Sequence, residues 1–145
     1  MNNLQAIKYV SITPPAAIVD NAAFTTAEVD TKGWNKALFV VQLGALDIAI
    51  AAMLLQENDV SATGEATVSG ADFSVSPLTL PAATDDDNAY SIHVDLRGKK
   101  RFMNISLTGG DGTTGTYATA FVILSDPEEC TDTAAERGFA QEAIV

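Results

Sequence analysis

Asn88-Ala89-Tyr90-Ser91-Ile92-His93-Val94-Asp95-Leu96-Arg97-Gly98-Lys99-Lys100-Arg101-Phe102-Met103-Asn104-Ile105-Ser106-Leu107-Thr108 is the stretch on which the fold reading turns. Tyr90, Ile92, Val94 and Leu96 share one side of its first half, while Ser91, His93 and Asp95 point the other way. That is the period of a half-buried strand. After the basic turn the alternation resumes, with Met103, Ile105 and Leu107 opposed by Asn104, Ser106 and Thr108. The pattern predicts a β-hairpin, with Gly98 supplying the φ > 0 conformation that tight connections often use.

The turn concentrates charge. Four of the eight Lys and Arg residues occupy positions 97 to 101 in a chain of net charge −11. Two readings stand. In one, the turn is solvated and balanced by the protein's own acids, such as Asp95 and Asp85-Asp86-Asp87. In the other, Arg97, Lys99, Lys100 and Arg101 contact an acidic neighbouring subunit. Nucleic acid is disfavoured as a partner, because the rest of the chain repels phosphate.

A length of 145 residues suits one domain with a core of its own. Composition leans to Ala, Thr, Val, Ser, Gly and Asp, and short β-rich runs are separated by Gly, Pro, Asp and Asn. The expectation is an all-β, single-domain antiparallel β-sandwich or jelly-roll-like barrel with extended termini. Residues 1-13 form an N-terminal strand or arm, 14-125 the sandwich, and 126-145 a C-terminal loop and docking strand.

Upstream, a first strand lies within Leu4 to Ile12 and is stopped by Thr13-Pro14-Pro15. Ala16 to Val19 reads as a short edge strand and Glu28 to Gly33 as a polar connection. Trp34 to Leu43, nearly continuous in apolar residues, suits a central strand covered on both faces. Asp47 to Leu55 fits either periodicity. We read it as a strand joined to the previous one as a hairpin through Gly44-Ala45-Leu46-Asp47.

Residues 56 to 84 form a polar excursion containing short strands at Ala66-Thr67-Val68 and Phe73-Ser74-Val75. Downstream, Gly109 to Gly115 reads as a flexible hairpin connection, and Thr116 to Ser125 as a strong strand ended by Asp126-Pro127. Thr133-Ala134-Ala135-Glu136 has capping-box spacing and opens a single helical turn. Phe139 to Val145 returns to alternation, and its apolar end, Ile144-Val145, is expected to dock.

The inventory for chemistry is thin: one His and one Cys. Ser91, His93 and Asp95 lie in line on one strand face, which does not give the converging geometry of a triad. Cys130 lies in an acidic segment, with no cation to lower its pKa except the distant Arg137, and it excludes an internal disulfide. Asp85-Asp86-Asp87 offers hard oxygen ligands without the spacing of an EF-hand, so a solvated turn is the simpler reading. No enzyme activity, cofactor or metal is expected. No secretory signal is visible, and Ile48 to Leu55 is too short to span a bilayer; a pI near 4.2 also opposes binding to anionic membrane.

Several strings together resemble a group of small tailed-phage virion proteins. They are Val40-Val41-Gln42-Leu43-Gly44-Ala45-Leu46-Asp47-Ile48-Ala49, Leu55-Gln56-Glu57-Asn58-Asp59, Leu80-Pro81-Ala82-Ala83-Thr84-Asp85-Asp86-Asp87 and Asp95-Leu96-Arg97-Gly98-Lys99-Lys100-Arg101. Gly112-Thr113-Thr114-Gly115-Thr116-Tyr117 and Ala134-Ala135-Glu136-Arg137-Gly138 belong to the same set. The resemblance implies a virion component, expected to be a capsid decoration or cement protein on the shell surface, held in the host cytoplasm before assembly. Its expected partners are the major capsid protein and copies of itself, a trimer at threefold positions fitting best. The contacts expected on this reading are Arg97, Lys99, Lys100, Arg101, Ile144 and Val145. A head-to-tail adaptor or tail component is the alternative, as is a carbohydrate-binding β-sandwich on the particle surface.

Overall fold

Alternation becomes nine strands in the computed structural model, which describes residues 6–19, 23–129, 131 and 133–143. They are β1 (Ile7–Val19), β2 (Ala23–Thr25), β3 (Val29–Asp30), β4 (Trp34–Leu43), β5 (Ala52–Asn58), β6 (Ala66–Asp72), β7 (Ala89–Asp95), β8 (Phe102–Thr108) and β9 (Thr116–Pro127). Two antiparallel sheets result. The first has the order β1-β9-β4-β7 and the second β2-β8-β5-β6, with β3 also on β8. The architecture is thus an all-β sandwich, as the composition implied.

The core is the pair of inner faces. Phe39 and Leu43 of β4, with Val122 and Leu124 of β9, meet Met53 and Leu55 of β5 and Met103, Ile105 and Leu107 of β8, all essentially buried. Each such side chain contributes roughly 1.5–3 kcal/mol on leaving water. The ladder residues between them face outward, which is why the burial of β4 and β9 alternates residue by residue.

Pairing departs from the sequence expectation in a consistent way. Asn88 to Thr108 is not a hairpin: β7 pairs with β4 in the first sheet and β8 with β5 in the second. The basic turn is therefore an arch carrying the chain from one sheet to the other. The same correction applies to Gly44–Asp47, which links β4 to β5, and to Gly109–Gly115, which links β8 to β9. Alternation marks the buried side of a strand, and both sheets bury a side against the same core. It therefore cannot distinguish a hairpin from an arch.

Other boundaries move for local reasons. β1 runs through Pro14-Pro15, because it is an edge strand with register shifts at Ser11/Thr13 and Thr13/Ala17, where a missing N–H leaves no ladder bond unmade. β9 likewise includes Pro127, at the end of its ladder opposite Trp34. β4 is central in its sheet, but only one of its faces is buried and the other is partly exposed. Phe73-Ser74-Val75 is a turn, with Phe73 tucked into the core against Tyr90. The short strand β3 falls within Glu28 to Gly33, expected as a polar connection, and β2 precedes it. Phe139 to Ala143 forms no strand, and Ile144 and Val145 lie outside the described residues, as does Cys130. No helix among the described residues is long and apolar enough to cross a membrane.

Candidate interaction surfaces

The arch from β7 to β8 starts at Leu96, whose N–H donates to the Asn35 carbonyl, and tightens where the Lys99 N–H donates to the Leu96 carbonyl across Gly98 at φ 76°. This geometry splays the four basic side chains toward different partners. Arg97 forks onto Asp95 of its own strand, with Nε 2.9 Å from Oδ1. Arg101 crosses to Asp30 of β3 at 2.8 and 2.7 Å, with its guanidinium 4.9 Å from the Phe102 ring centre. The Lys100 N–H donates to Glu57 at 2.9 Å, while its ammonium sits 3.6 Å from Asp59. Lys99 forms no ion pair among the described residues.

These partners shift the acids they bind. The Arg97 fork, aided by the Arg97 N–H, holds the Asp95 carboxyl at a pKa of about 2. Asp30 is held below its ordinary value chiefly by its hydrogen bonds from Arg101. Self-neutralisation is therefore real for three of the four cations, with Asp95 correctly named from the sequence. Asp85-Asp86-Asp87 plays no part in it, since it precedes β7 whereas the basic turn follows it, roughly 20 Å away at about 3.3 Å per strand residue. Instead Asp85 accepts the Ala82 N–H of its own turn, and Asp86 accepts the Leu46 N–H and so ties that turn to the arch between β4 and β5.

His93 stands exposed on the outer face of β7, flanked by Ser91 and Asp95. Asp95 is committed to Arg97, so the row does not assemble into a relay. Among the described residues no cluster of three or more His, Cys, Asp or Glu is placed to hold a metal ion.

Two further clusters escaped the sequence reading. Glu28, between β2 and β3, accepts from Asn58 Nδ2, Ser61 Oγ and the Ala62 N–H, pinning the tip of the β5–β6 hairpin; these bonds, the Ser61 one foremost, lower its pKa. At the C-terminal side, Thr133 and Glu136 form the reciprocal capping box that their spacing announced. The turn they open presents the Arg137 carbonyl to the Tyr9 N–H at 2.8 Å, and Phe139 stacks on Tyr9 with ring centres 5.6 Å apart. Arg137 is 4% exposed, and its side chain is bound by Glu142 and the Thr131 carbonyl. No sequence signal marked that arginine as buried.

The outer face of the first sheet carries Leu38 and Val40 of β4 beside Ile123 and Phe121 of β9, all partly exposed, with Tyr9 at the β1 margin. At one end of the sandwich an open groove of about 500 Å³ is lined by Trp34, Lys8, Lys32, Glu128 and Glu129.

No family model matches this chain, and no curated protein matches it. Among solved structures it is similar to one described as "Bacillus endospore appendages form a novel family of disulfide-linked pili". That likeness has 12% sequence identity and a TM-score of 0.42, covering 88% of this chain and 94% of the other. It is a distant likeness between two chains.

Proposed function

We propose that this protein is a non-enzymatic structural component of a virion, a capsid decoration protein that binds the outer surface of the major capsid shell. The observation that carries the reading is the outer face of the first sheet. There Leu38 and Val40 of β4 lie beside Phe121 and Ile123 of β9, all partly exposed, as an apolar patch two strands wide. A patch of that kind suits docking against another protein surface. The virion assignment itself comes from the resemblance of the quoted strings to tailed-phage virion proteins. On this reading Lys99, the unpaired cation of the basic arch, and the C-terminal residues Ile144 and Val145 are contacts to the shell or to a neighbouring copy.

The test is copy number and position in purified particles, by quantitative mass spectrometry and cryo-EM. Hundreds of copies over the shell support decoration. A small ring at one vertex replaces it with an adaptor or tail role, and absence from the particle removes the virion reading. The groove beside Trp34 favours carbohydrate binding as a second reading, because an indole can stack on the C–H face of a sugar while Glu128 and Glu129 accept from its hydroxyls. Saturable glycan binding lost in Trp34→Ala is its expected signature.

A further inference from the structure

Sheet edges are where a β-sandwich either protects itself or recruits a partner strand. Three of the four edges here are blunted. β1 is broken by two register shifts and capped where the Arg137 carbonyl takes the Tyr9 N–H. The β2 and β3 edge is two short strands, and the chain between them bends inward so that the Thr26 N–H reaches the Ile105 carbonyl. β6 pairs irregularly with β5, with a register shift between Leu54 and Gln56, and contains Gly70 at φ 81°.

β7 has none of these devices. It pairs with β4 from Ala89 to Asp95 without a register shift, and carries no proline, lysine or bulge. The Leu43 N–H donates to Asn88 and the Leu96 N–H to Asn35, which sets the phase of the ladder. Tyr90, Ile92 and Val94 thus turn their backbone groups toward β4. Ala89, Ser91, His93 and Asp95 turn theirs to the open edge, where they have no partner among the described residues.

We infer that β7 is the site of self-association, pairing antiparallel with β7 of a second copy across a two-fold axis to make one continuous eight-stranded sheet. Charge selects the partner. Asp85-Asp86-Asp87 lies at the start of β7 and Arg97-Gly98-Lys99-Lys100-Arg101 at its end. Antiparallel self-pairing sets the acidic end of each copy against the basic end of the other, whereas parallel addition sets like against like. With the axis at Ile92, Ser91 of one copy lies opposite His93 of the other and Ala89 opposite Asp95, and the acidic turn before β7 of each copy comes next to the basic turn after β7 of the other. One residue earlier, Asp95 of each copy runs out against the partner's acidic turn; one residue later, the two His93 side chains face each other. The Ile92 register avoids both. Each copy's net charge of −11 opposes association at long range, and salt near 0.15 M, with a Debye length of about 8 Å, screens that repulsion more than the contacts.

The experiment is sedimentation equilibrium of the full chain at near-physiological salt, up to millimolar concentration. The expected mass rises from 15.2 kDa to twice that value. His93→Pro deletes an N–H that faces the open edge rather than β4, and is expected to weaken the dimer at least ~tenfold while circular dichroism retains the β-sheet signal. Lys99 is half-buried but forms no ion pair among the described residues, so Lys99→Glu breaks no salt bridge of the fold and is expected to weaken the dimer while shifting the melting temperature little. If His93→Pro fails to fold, Lys99→Glu decides alone. A wild-type chain that stays monomeric throughout, or a dimer that Lys99→Glu leaves intact, overturns the inference.

Discussion

Asp47 and Thr114, 67 positions apart, are joined by a 2.6 Å hydrogen bond from the Thr114 N–H to the Asp47 carboxylate, which also accepts the N–H groups of Thr113 and Gly115. The glycine-rich arch between β8 and β9 thus wraps its backbone donors around an anion on the arch between β4 and β5. The fit is close: a Cβ at Gly112 would come within 2.2 Å of the Asp47 carboxylate, and one at Gly110 within 2.3 Å of the Ala49 carbonyl. Asp47→Ala is expected to accelerate hydrogen exchange at Thr113, Thr114 and Gly115 and to lower the melting temperature. Gly110→Ala is expected to do the same through its clash with backbone. Unchanged exchange in Asp47→Ala counts against the lock.

Acid is expected to destabilise the protein through this and three other carboxylates. Asp47, chiefly through the Thr114 N–H, and Asp30, Asp95 and Glu28 through the partners described above, have native pKa values below their ordinary range, Asp95 at about 2. The folded protein therefore binds fewer protons than the unfolded chain between about pH 2 and pH 4. The stabilisation is fully present above the unfolded values near pH 4, and disappears as pH falls through the native ones. Urea midpoints measured from pH 7 down to pH 2 are expected to fall in that window, less steeply in Asp95→Asn. A flat profile contradicts the assignment.

Gly138 tests the seal on the β1 edge. It holds φ 82°, and a Cβ there would come within 1.8 Å of the Tyr9 carbonyl oxygen. Gly138→Ala is expected to cost at least the ~1–2 kcal/mol of a left-handed non-glycine residue, and to expose the Tyr9 amide to exchange. Protection of that amide as in the wild type shows that the turn tolerates the substitution.

Phe39 is fully buried between the sheets. Phe39→Ala is expected to lower stability by ~3–5 kcal/mol, read as a reduced denaturation midpoint at constant slope. A loss below ~1 kcal/mol places the side chain outside the core.

Within the basic arch, two charge reversals are expected to separate folding from binding. Arg101→Glu loses the Asp30 fork and the contact with Phe102, so its melting temperature is expected to drop. Lys99→Glu leaves the fold alone, and on the capsid reading lowers occupancy of the shell. Full occupancy in Lys99→Glu removes this cation from the contact set.

How much of this was legible in the chain differs by feature. The inward sets Tyr90, Ile92, Val94 and Met103, Ile105, Leu107 read correctly, as did the Thr133–Glu136 capping box, because solvation period and cap spacing are local. Asn104 broke the pattern. Its place opposite Met103 and Ile105 assigns it to solvent, yet it is 2% exposed, and its amide donates to Glu65 just before β6. The Pro14-Pro15 stop failed because an edge strand tolerates prolines that an interior strand does not.

From the sequence alone come the β-class of the chain, the inward side of its main strands, the concentration of cations at residues 97 to 101 and the turn residues that interrupt the strands. Tertiary structure decided which strands pair, turned three supposed hairpins into arches between sheets, and separated Asp85-Asp86-Asp87 from the cations it was expected to balance. The physical reason is that burial alternates with a local period of two, whereas backbone donors and acceptors are alike in every strand and carry no address. A strand finds its neighbour only through the fit of the assembled core and the reach of its connections.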